Sequence, residues 1–170
     1  MNLLIIRHGI AEDKDEFATT GKSDDLRPLT AEGRVKTTHA AEGLRTIAPD
    51  ISLLATSPLV RAQETAEIVG RVYGIEVRST TEALSPDAPF SEFLDWIGDR
   101  SDQDVVAVVG HEPHLSALAT RLLCGGDKSR IELKKGGACL LAFDRAPAAG
   151  SGTLKWLMYP SHLRALAGRG

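Results

Sequence analysis

The run Val105–Val109 constrains the fold of this chain more than any other segment. Its five consecutive apolar residues are bounded by Asp104 and Gly110, a pattern typical of a strand that is buried on both faces at the centre of a parallel sheet. Asn2–Ile6 is a second short apolar run, and it ends abruptly at Arg7. These two runs predict buried strands whose carboxyl ends open into loops.

Helix signals alternate with strand signals along the rest of the chain. The predicted helices extend from the Thr30 cap to Pro49, from the Ser57-Pro58 cap to Gly74, over Phe90–Ile97, and from Leu115 to the glycines at 125 and 126. Further strands are predicted at Ser52–Thr56, Ile75–Arg78, Ala138–Phe143 and Leu154–Met158, and Asp13–Arg27 is predicted to be a loop. This alternation predicts a three-layer α/β/α fold with a mostly parallel central sheet.

The composition is typical of one globular domain. The chain has 170 residues, of which 42% are hydrophobic and 25% charged, and it can therefore bury a sizeable core in a single domain over residues 1–170. No apolar run approaches the roughly 20 residues that span a bilayer, and the first residues lack the features of a secretory signal. We therefore expect a cytoplasmic protein with no membrane partner.

The charge balance and the cysteines exclude several classes of protein. A formal net charge of −3 argues against nucleic acid as a partner, because nucleic-acid-binding surfaces usually carry a concentrated basic patch. Any anion that this protein binds must therefore be met by a few local cations. Cys124 and Cys139 are far apart and form no Cys-x-x-Cys arrangement, which indicates neither a disulfide framework nor a sulfur-rich metal site.

Unusual polar residues follow three of the predicted strands. Arg7-His8-Gly9 follows the first strand, Ser57 and Arg61 follow the second, and Gly110-His111-Glu112-Pro113 follows Val105–Val109. In open parallel sheets, ligands bind beyond the carboxyl ends of the strands. The sequence therefore predicts that two imidazoles and two guanidinium groups meet at one rim.

This set of side chains suits phosphoryl transfer without a metal or another cofactor. Guanidinium groups match the charged equatorial oxygens of a transferring phosphoryl group. A neutral imidazole can attack phosphorus, and a covalent phosphohistidine then divides hydrolysis into two easier steps. The second imidazole can donate hydrogen bonds to the oxygens as they gain charge.

Three segments carry a family resemblance. They are Leu4-Ile5-Ile6-Arg7-His8-Gly9, Ser57-Pro58-Leu59-Val60-Arg61-Ala62-Gln63-Glu64-Thr65-Ala66 and Gly110-His111, and in this order they resemble the histidine phosphatase superfamily, also called the phosphoglycerate mutase-like fold. The short length and Arg27-Pro28-Leu29-Thr30 are similar to its SixA branch of phosphohistidine phosphatases. The resemblance runs from Asn2 to about Leu163 and includes no inserted cap domain.

The resemblance implies a catalytic set of four residues. His8 is the implied nucleophile, and His111 is the second histidine of the site. Arg7 and Arg61 would clamp the phosphoryl group between them. The implied reaction is the transfer of a phosphoryl group to His8 and then to water.

Three further residues are candidates for binding phosphate or substrate. Gly9 and Ser57 lie within the motifs, although Ser57 also fits the cap of the helix that follows it. Arg27 is expected to approach the substrate side of the pocket. The implied partner is a phosphohistidine-bearing protein of a phosphotransfer or signalling system.

The position of a proton donor distinguishes two substrate classes. Many superfamily members that act on phosphate esters carry a glutamate donor shortly after the third strand, where this chain offers Glu82 and Asp87 as candidates and has Pro86 at the expected place. An alkoxide leaving group needs that proton, which contributes typically about 10²–10⁴-fold. A phosphorylated imidazole can bring its own proton, since the ordinary histidine pKa is about 6.5. The weak acid signal therefore favours a phosphohistidine substrate.

Three other functions stay open on the sequence alone. A phosphatase of small phosphate esters would use Glu82 or Asp87 as its proton donor. A metallohydrolase would use His8, His111 and His114 as ligands, but the clustered arginines would repel its cation. A non-catalytic phosphate-binding module would hold the anion without forming a phosphoenzyme.

Overall fold

The computed structural model describes residues 1–48 and 50–168, so the predicted helix end at Pro49 lies outside the described residues. The strands are β1 (Asn2–Arg7), β2 (Leu53–Thr56), β3 (Ser79–Thr80), β4 (Val105–Gly110), β5 (Ala138–Ala142) and β6 (Thr153–Met158). The helices are α1 (Lys14–Ala18), α2 (Ala31–Ile47), α3 (Val60–Tyr73), α4 (Phe90–Gly98), α5 (His114–Cys124) and α6 (Pro160–Leu166), with short 3-10 helices at Asp24–Leu26 and Glu82–Leu84. No helix within the described ranges combines the length and the apolar character that a membrane crossing requires.

The strands form a six-stranded sheet in the order β3-β2-β4-β1-β5-β6. The first four strands in this order run parallel, whereas β5 is antiparallel to β1 and β6 is antiparallel to β5. β4 lies inside the sheet between β2 and β1, as its unbroken apolar run predicts. The predicted α/β fold with a mostly parallel central sheet is therefore confirmed, with two antiparallel strands at one side.

Successive residues of the central strands face two separate cores, because side chains alternate across a sheet. Leu3 and Ile5 of β1 pack with residues of α4 and α5. Leu4 and Ile6 pack on the opposite face with residues of α2, α3 and α6. Helices thus cover both faces of the sheet, and the polar residues that follow the strands lie at its edge.

Two predicted helix boundaries are confirmed by their cap geometry. The side chain of Thr30 accepts a hydrogen bond from the amide of Gly33 at 2.8 Å and caps α2. Gly74 ends α3 in the left-handed conformation, with φ of 71°, which glycine adopts without strain.

The predicted strand at Ile75–Arg78 is misplaced, because the strand that pairs with β2 is Ser79–Thr80. Arg78, at the end of the predicted range, bonds to β2 through its amide, which donates to the carbonyl of Leu54 at 2.9 Å. The amide of Ile75 donates to the carbonyl of Gly70 at 2.9 Å. Ile75 therefore belongs to the hydrogen-bonded end of α3 and is not available to the sheet.

The prediction that Asp13–Arg27 is a loop is also wrong in part. The carboxylate of Asp13 accepts hydrogen bonds from two amides in the first turn of α1 and begins that helix. The buried ring of Phe17 anchors α1 to the body of the protein. A five-residue helix is too short to give a clear periodic signal in the sequence.

Ser57 does not cap α3, in contrast to the prediction. Its amide donates to the carbonyl of Val109 at 3.0 Å, which keeps Ser57 on the hydrogen-bonded ladder beyond β2. The helix begins three residues later at Val60, and its cap position is occupied by Leu59. The serine side chain is thereby left free for contacts at the edge of the sheet.

Gly43 tests the packing of α2 against α6. A methyl group at this position would overlap the backbone carbonyl of Leu163, so Gly43→Ala should lower the free energy of unfolding by about 1–3 kcal/mol. Gly98→Ala is the matched control, because a methyl group there meets no atom within 4 Å. Urea denaturation of both variants measures the difference, and equal stabilities would contradict the close packing of the two helices.

Candidate active site

The pairing of β1 with β4 places His8 and His111 side by side. Arg7 lies opposite Gly110 in the parallel register, and the amide of His8 donates to the carbonyl of Gly110 at 3.0 Å. The two imidazole ring centroids are 5.1 Å apart. Both side chains are almost fully buried, with 6% of His8 and 2% of His111 exposed. The predicted meeting of the two histidines at one rim is what the structure shows.

The imidazole of His8 is held in one orientation by its own backbone. Its Nδ1 lies 2.7 Å from the carbonyl oxygen of Gly9. A carbonyl can only accept a hydrogen bond, so Nδ1 carries the proton and Nε2 keeps its lone pair. The geometry leaves Nε2 as the nitrogen that can act as a nucleophile.

The pKa of His8 is lowered to about 3. Burial is the main cause, because it disfavours the charged imidazolium, while the hydrogen bond to Gly9 opposes this effect and the charges of Arg61, Arg7 and Lys135 add to it. His8 is therefore a neutral imidazole at neutral pH. A neutral ring is the form that can attack phosphorus.

His111 is oriented by Ser57. Its Nε2 lies 2.6 Å from the Oγ of Ser57, and the same oxygen accepts a hydrogen bond from the amide of Leu59 at 3.2 Å. Burial is the main cause that lowers the pKa of His111 to about 3, and the neighbouring His8 ring and the charge of Arg61 lower it further. The structure thus gives Ser57 a positioning contact with the second histidine.

Arg61 is held in place by Asp24. Its Nη1 donates to the Asp24 carbonyl at 2.9 Å, and its Nη2 lies 3.2 Å from the Asp24 carboxylate. The same carboxylate accepts a hydrogen bond from Nε of Arg27 at 2.7 Å, while Nη1 of Arg27 donates to the carbonyl of Glu12. The bond from Arg27, with the charge of Arg61, lowers the pKa of Asp24. Arg27 therefore joins the site through Asp24.

Several polar atoms of this cluster are buried without a hydrogen-bond partner in the described part of the chain. They are Nε of Arg7, Nε of Arg61 and Nδ1 of His111. Each of these atoms keeps a hydrogen-bonding capacity that no protein group of the described residues uses.

Gly9 leaves room for the close approach of the Thr37 side chain. A methyl group on its Cα would overlap Oγ1 of Thr37. Its amide donates to Oγ1 of Thr65 at 3.0 Å, and that hydroxyl in turn donates to the carbonyl of Arg61 at 2.7 Å. These bonds tie the turn that carries His8 to the first turns of α3. The binding of phosphate by Gly9 stays a prediction.

Comparison with known proteins now identifies the family. The model of the histidine phosphatase superfamily (branch 1) matches residues 3–84. An uncharacterized protein of Picosynechococcus sp. is 32% identical over 139 residues, which cover 81% of this chain and 82% of that protein. This chain belongs to the histidine phosphatase superfamily.

Within the superfamily, the chain is similar to SixA over nearly its whole length. The phosphohistidine phosphatase SixA of Escherichia coli (strain K12) is 28% identical over 170 residues, which cover 96% of this chain and 97% of that protein. A solved structure of the protein histidine phosphatase SixA complexed with tungstate matches with a TM-score of 0.81 and 26% identity, covering 96% of this chain and 99% of that one. These similarities support phosphatase activity and the SixA-type branch, and no separate cap domain is indicated.

The two candidate proton donors of this histidine phosphatase lie at the surface. Glu82 is exposed, and its carboxylate accepts a hydrogen bond from the hydroxyl of Ser85 at 2.6 Å. Asp87 is exposed at the rim of a cleft of about 440 Å³ that is also lined by His114 and Phe90. Within the described residues, neither carboxylate forms a hydrogen bond or an ion pair with His8 or His111. Proton donation by either carboxylate stays a prediction.

His114 is a structural residue that lines the same cleft. It is buried, and its Nε2 lies 3.3 Å from the carbonyl of Ala83. In the described ranges no group of three or more His, Cys, Asp or Glu side chains is arranged to hold a metal ion. His8, His111 and His114 therefore do not form the ligand set that a metallohydrolase would need.

Two residues of this histidine phosphatase site were missed in the sequence. Thr65 lies four residues after Arg61 and thus on the same side of α3, a spacing that marks it as a neighbour. Asp24 gave no signal, because it lies in a polar segment without periodicity and its contact with Arg61 spans 37 residues.

The buried neutral histidines predict how stability depends on pH. Unfolded histidines take up protons below pH 6.5, whereas folded His8 and His111, with pKa values of about 3, do not. The free energy of unfolding should therefore fall as the pH is lowered from 7.5 to 4.5, by at most about 1.4 kcal/mol per pH unit for each histidine. Urea denaturation of the parent and of His8→Asn measures this slope.

The variant should show a shallower slope than the parent, because it has lost one of the buried histidines whose pKa is lowered. His162→Asn, which changes an exposed histidine near the end of the chain, should keep the parent slope. Identical slopes for the parent and His8→Asn would mean that His8 takes up its proton as readily in the folded state as in the unfolded one.

Proposed function

We propose that this chain, as one histidine phosphatase domain over residues 1–170, removes phosphate from a histidine of a protein through a phosphorylated His8. The observation that carries this proposal is the neutral His8 ring, whose Nε2 is free because Nδ1 is bonded to Gly9, facing His111 at 5.1 Å between ring centroids. The similarity to SixA, a protein histidine phosphatase, supports the same class of substrate. The expected setting, from the sequence, is the cytoplasm.

The first step transfers the phosphoryl group to His8. The Nε2 lone pair forms a bond to phosphorus while the bond between phosphorus and the substrate imidazole breaks. The leaving imidazole takes the bonding electron pair and departs neutral, because its other nitrogen already carries a proton. The carbonyl of Gly9 accepts from Nδ1 and so stabilises the positive charge that the His8 ring gains.

The second step transfers the phosphoryl group to water. Water forms a bond to phosphorus, the bond to Nε2 breaks, and the electron pair returns to His8. The proton of the water leaves on inorganic phosphate, and the neutral enzyme is restored. Arg7 and Arg61 stabilise the equatorial oxygens in both steps, and His111, oriented by Ser57, donates to an oxygen that gains charge.

The surface position of the candidate acids favours phosphohistidine over a phosphate ester. Glu82 is bonded to Ser85, and Asp87 is exposed at the rim of the cleft. An ester substrate would need one of them to deliver a proton to the leaving oxygen. A phosphorylated imidazole needs no such donor when it carries its own proton.

Phosphoryl transfer from a ³²P-phosphohistidine protein tests the proposed function. The parent should become labelled and release phosphate, whereas His8→Ala should do neither, because no other imidazole can take its place. His111→Ala should slow phosphate release by about 100-fold, the typical cost of losing one donor to a developing charge. Acid-labile label on the enzyme and free phosphate are measured over time.

His39→Ala is the matched control, since it removes a partly buried histidine of α2, and it should retain parent activity. Phosphate release by His8→Ala at the parent rate would overturn the proposal. Faster turnover of a panel of sugar phosphates than of the phosphohistidine protein, lost in Glu82→Gln or Asp87→Asn, would assign the chain to ester hydrolysis instead.

The contact between Asp24 and Arg61 predicts a positioning role for the carboxylate. Asp24→Asn removes the negative charge that pairs with both Arg27 and Arg61. The guanidinium group of Arg61 should then no longer be held in its parent orientation. We expect KM for the phosphohistidine substrate to rise about 3–10-fold, as the loss of a charge-assisted contact implies, with a smaller change in kcat.

Asp102→Asn is the control, because Asp102 is exposed and forms no ion pair in the described residues. Steady-state kinetics of both variants gives the comparison. Equal KM values for the parent and Asp24→Asn would show that Arg61 needs no support from Asp24.

A further inference from the structure

A basic pocket lies beside the turn that carries His8. Its volume is about 220 Å³, and it is lined by the cations Lys36, Lys135 and Arg164 together with Gly9 and Thr37. Since a water molecule occupies about 30 Å³ in the liquid, the pocket has room for a carboxylate with several waters. Three cations at one small pocket are notable on a chain whose formal net charge is −3.

Two of these cations have no counterion. Within residues 1–48 and 50–168, neither Lys135 nor Arg164 forms an ion pair with a carboxylate, whereas Lys36 pairs with Glu32 one turn earlier in α2. Lys135 is exposed and Arg164 is partly buried. The two side chains therefore present positive charge that no carboxylate of the described residues pairs with, and an anion entering the pocket would not have to displace one of these carboxylates.

The pocket is directly connected to the catalytic turn. The amide of Gly136, next to Lys135, donates to the carbonyls of Arg7 and His8 at 3.1 and 3.0 Å. The charge of Lys135 is also among the causes, after burial, that lower the pKa of His8. Lys135 is thus fixed near His8 through the backbone of its own turn.

We propose that the pocket of Lys36, Lys135 and Arg164 binds a carboxylate side chain of the phosphorylated partner protein, close in sequence to its phosphohistidine. This inference rests on the proposed function and adds a second point of recognition to it. A residue two positions from the phosphohistidine on an extended segment lies about 7 Å away, and the pocket borders the His8 turn at Gly9. The phosphoryl group and the acidic side chain would then be held by separate sets of cations.

The pocket should change how strongly the enzyme prefers one phosphohistidine substrate over another. Charge pairs at a partly exposed site contribute up to about 1 kcal/mol each, and salt screens them. The parent should therefore prefer an acidic substrate over a neutral one, and this preference should fall when the salt concentration is raised.

Two phosphohistidine peptides test the inference. One carries glutamates two positions on either side of the phosphohistidine, and the other carries glutamines there. The parent should hydrolyse the glutamate peptide with a kcat/KM about fivefold higher, mainly through a lower KM, as expected for about 1 kcal/mol. The double variant Lys135→Gln/Arg164→Gln should bring the ratio of the two kcat/KM values close to one.

Matched controls separate this effect from net charge. Lys128→Gln/Lys155→Gln also removes two exposed cations, outside the pocket, and should keep the parent ratio. Arg164→Lys keeps the charge and should keep most of the preference. The glutamine peptide serves as the internal check on folding, since every variant must still hydrolyse it.

The outcomes distinguish the inference from the proposed function. If the parent hydrolyses both peptides equally, or if the pocket variant and the control variant lower the ratio to the same extent, the carboxylate subsite is overturned and the phosphatase assignment stands. If the parent hydrolyses neither peptide and forms no phosphoenzyme, the proposed function fails and the subsite with it.

Discussion

The parallel pairing of β1 with β4 is the contact on which the rest of the site depends. The register continues past the strands, since the amide of His8 still bonds to Gly110 and the amide of Ser57 to Val109. Ile6 and Val109 share one core, and His8 and His111 each follow one of them by two residues. Alternation along a strand therefore directs both imidazoles to the same side of the sheet. The geometry of the candidate site is therefore a consequence of sheet register.

Burial and positive charge then select the chemical state of the two rings. Each imidazole is removed from water and surrounded by guanidinium groups, and both effects oppose protonation. The same arginines that would attract a phosphoryl group thus add to the effect of burial, which is the main cause that keeps His8 neutral. The neutral state of the two buried rings makes the fold sensitive to acid, because the unfolded histidines take up protons that the folded ones do not. Asp24 balances part of the positive charge, because its carboxylate contacts Arg61.

The sequence predicted the parts of this structure that repeat a simple pattern. Apolar runs located β1 and β4, and the strand-end rule brought together His8 and His111, which are 103 positions apart. Prediction from the sequence failed where a segment fits two kinds of local structure. Ser57-Pro58 has the signature of a helix cap, but the sheet ladder retained Ser57 and freed its hydroxyl for His111. No pattern in a single sequence indicates whether the helix cap or the sheet ladder will include such a serine.

The charged residues around the histidine pair could not be predicted from the sequence for a different reason. Asp24 belongs to an aperiodic segment, and Lys135 and Arg164 come from a turn and from α6, so none of them shares a spacing rule with the histidines. Tertiary folding alone brings these residues together. An acidic protein repels an acidic partner at long range. In the proposed function, the local positive charge of Lys135 and Arg164 would oppose this repulsion at short range.

A phosphatase of this charge cannot rely on general attraction to phosphoproteins, since its overall field opposes them at distances beyond the screening length. Binding must instead come from short-range contacts at a few cations, and such contacts depend on how the partner arranges its own charges. A substrate with one anion would engage only the arginines near His8. A substrate with a second, correctly spaced anion would also engage Lys135 and Arg164. Discrimination between phosphorylated proteins then follows from the spacing of two negative groups, because specificity is a difference between affinities and not their sum.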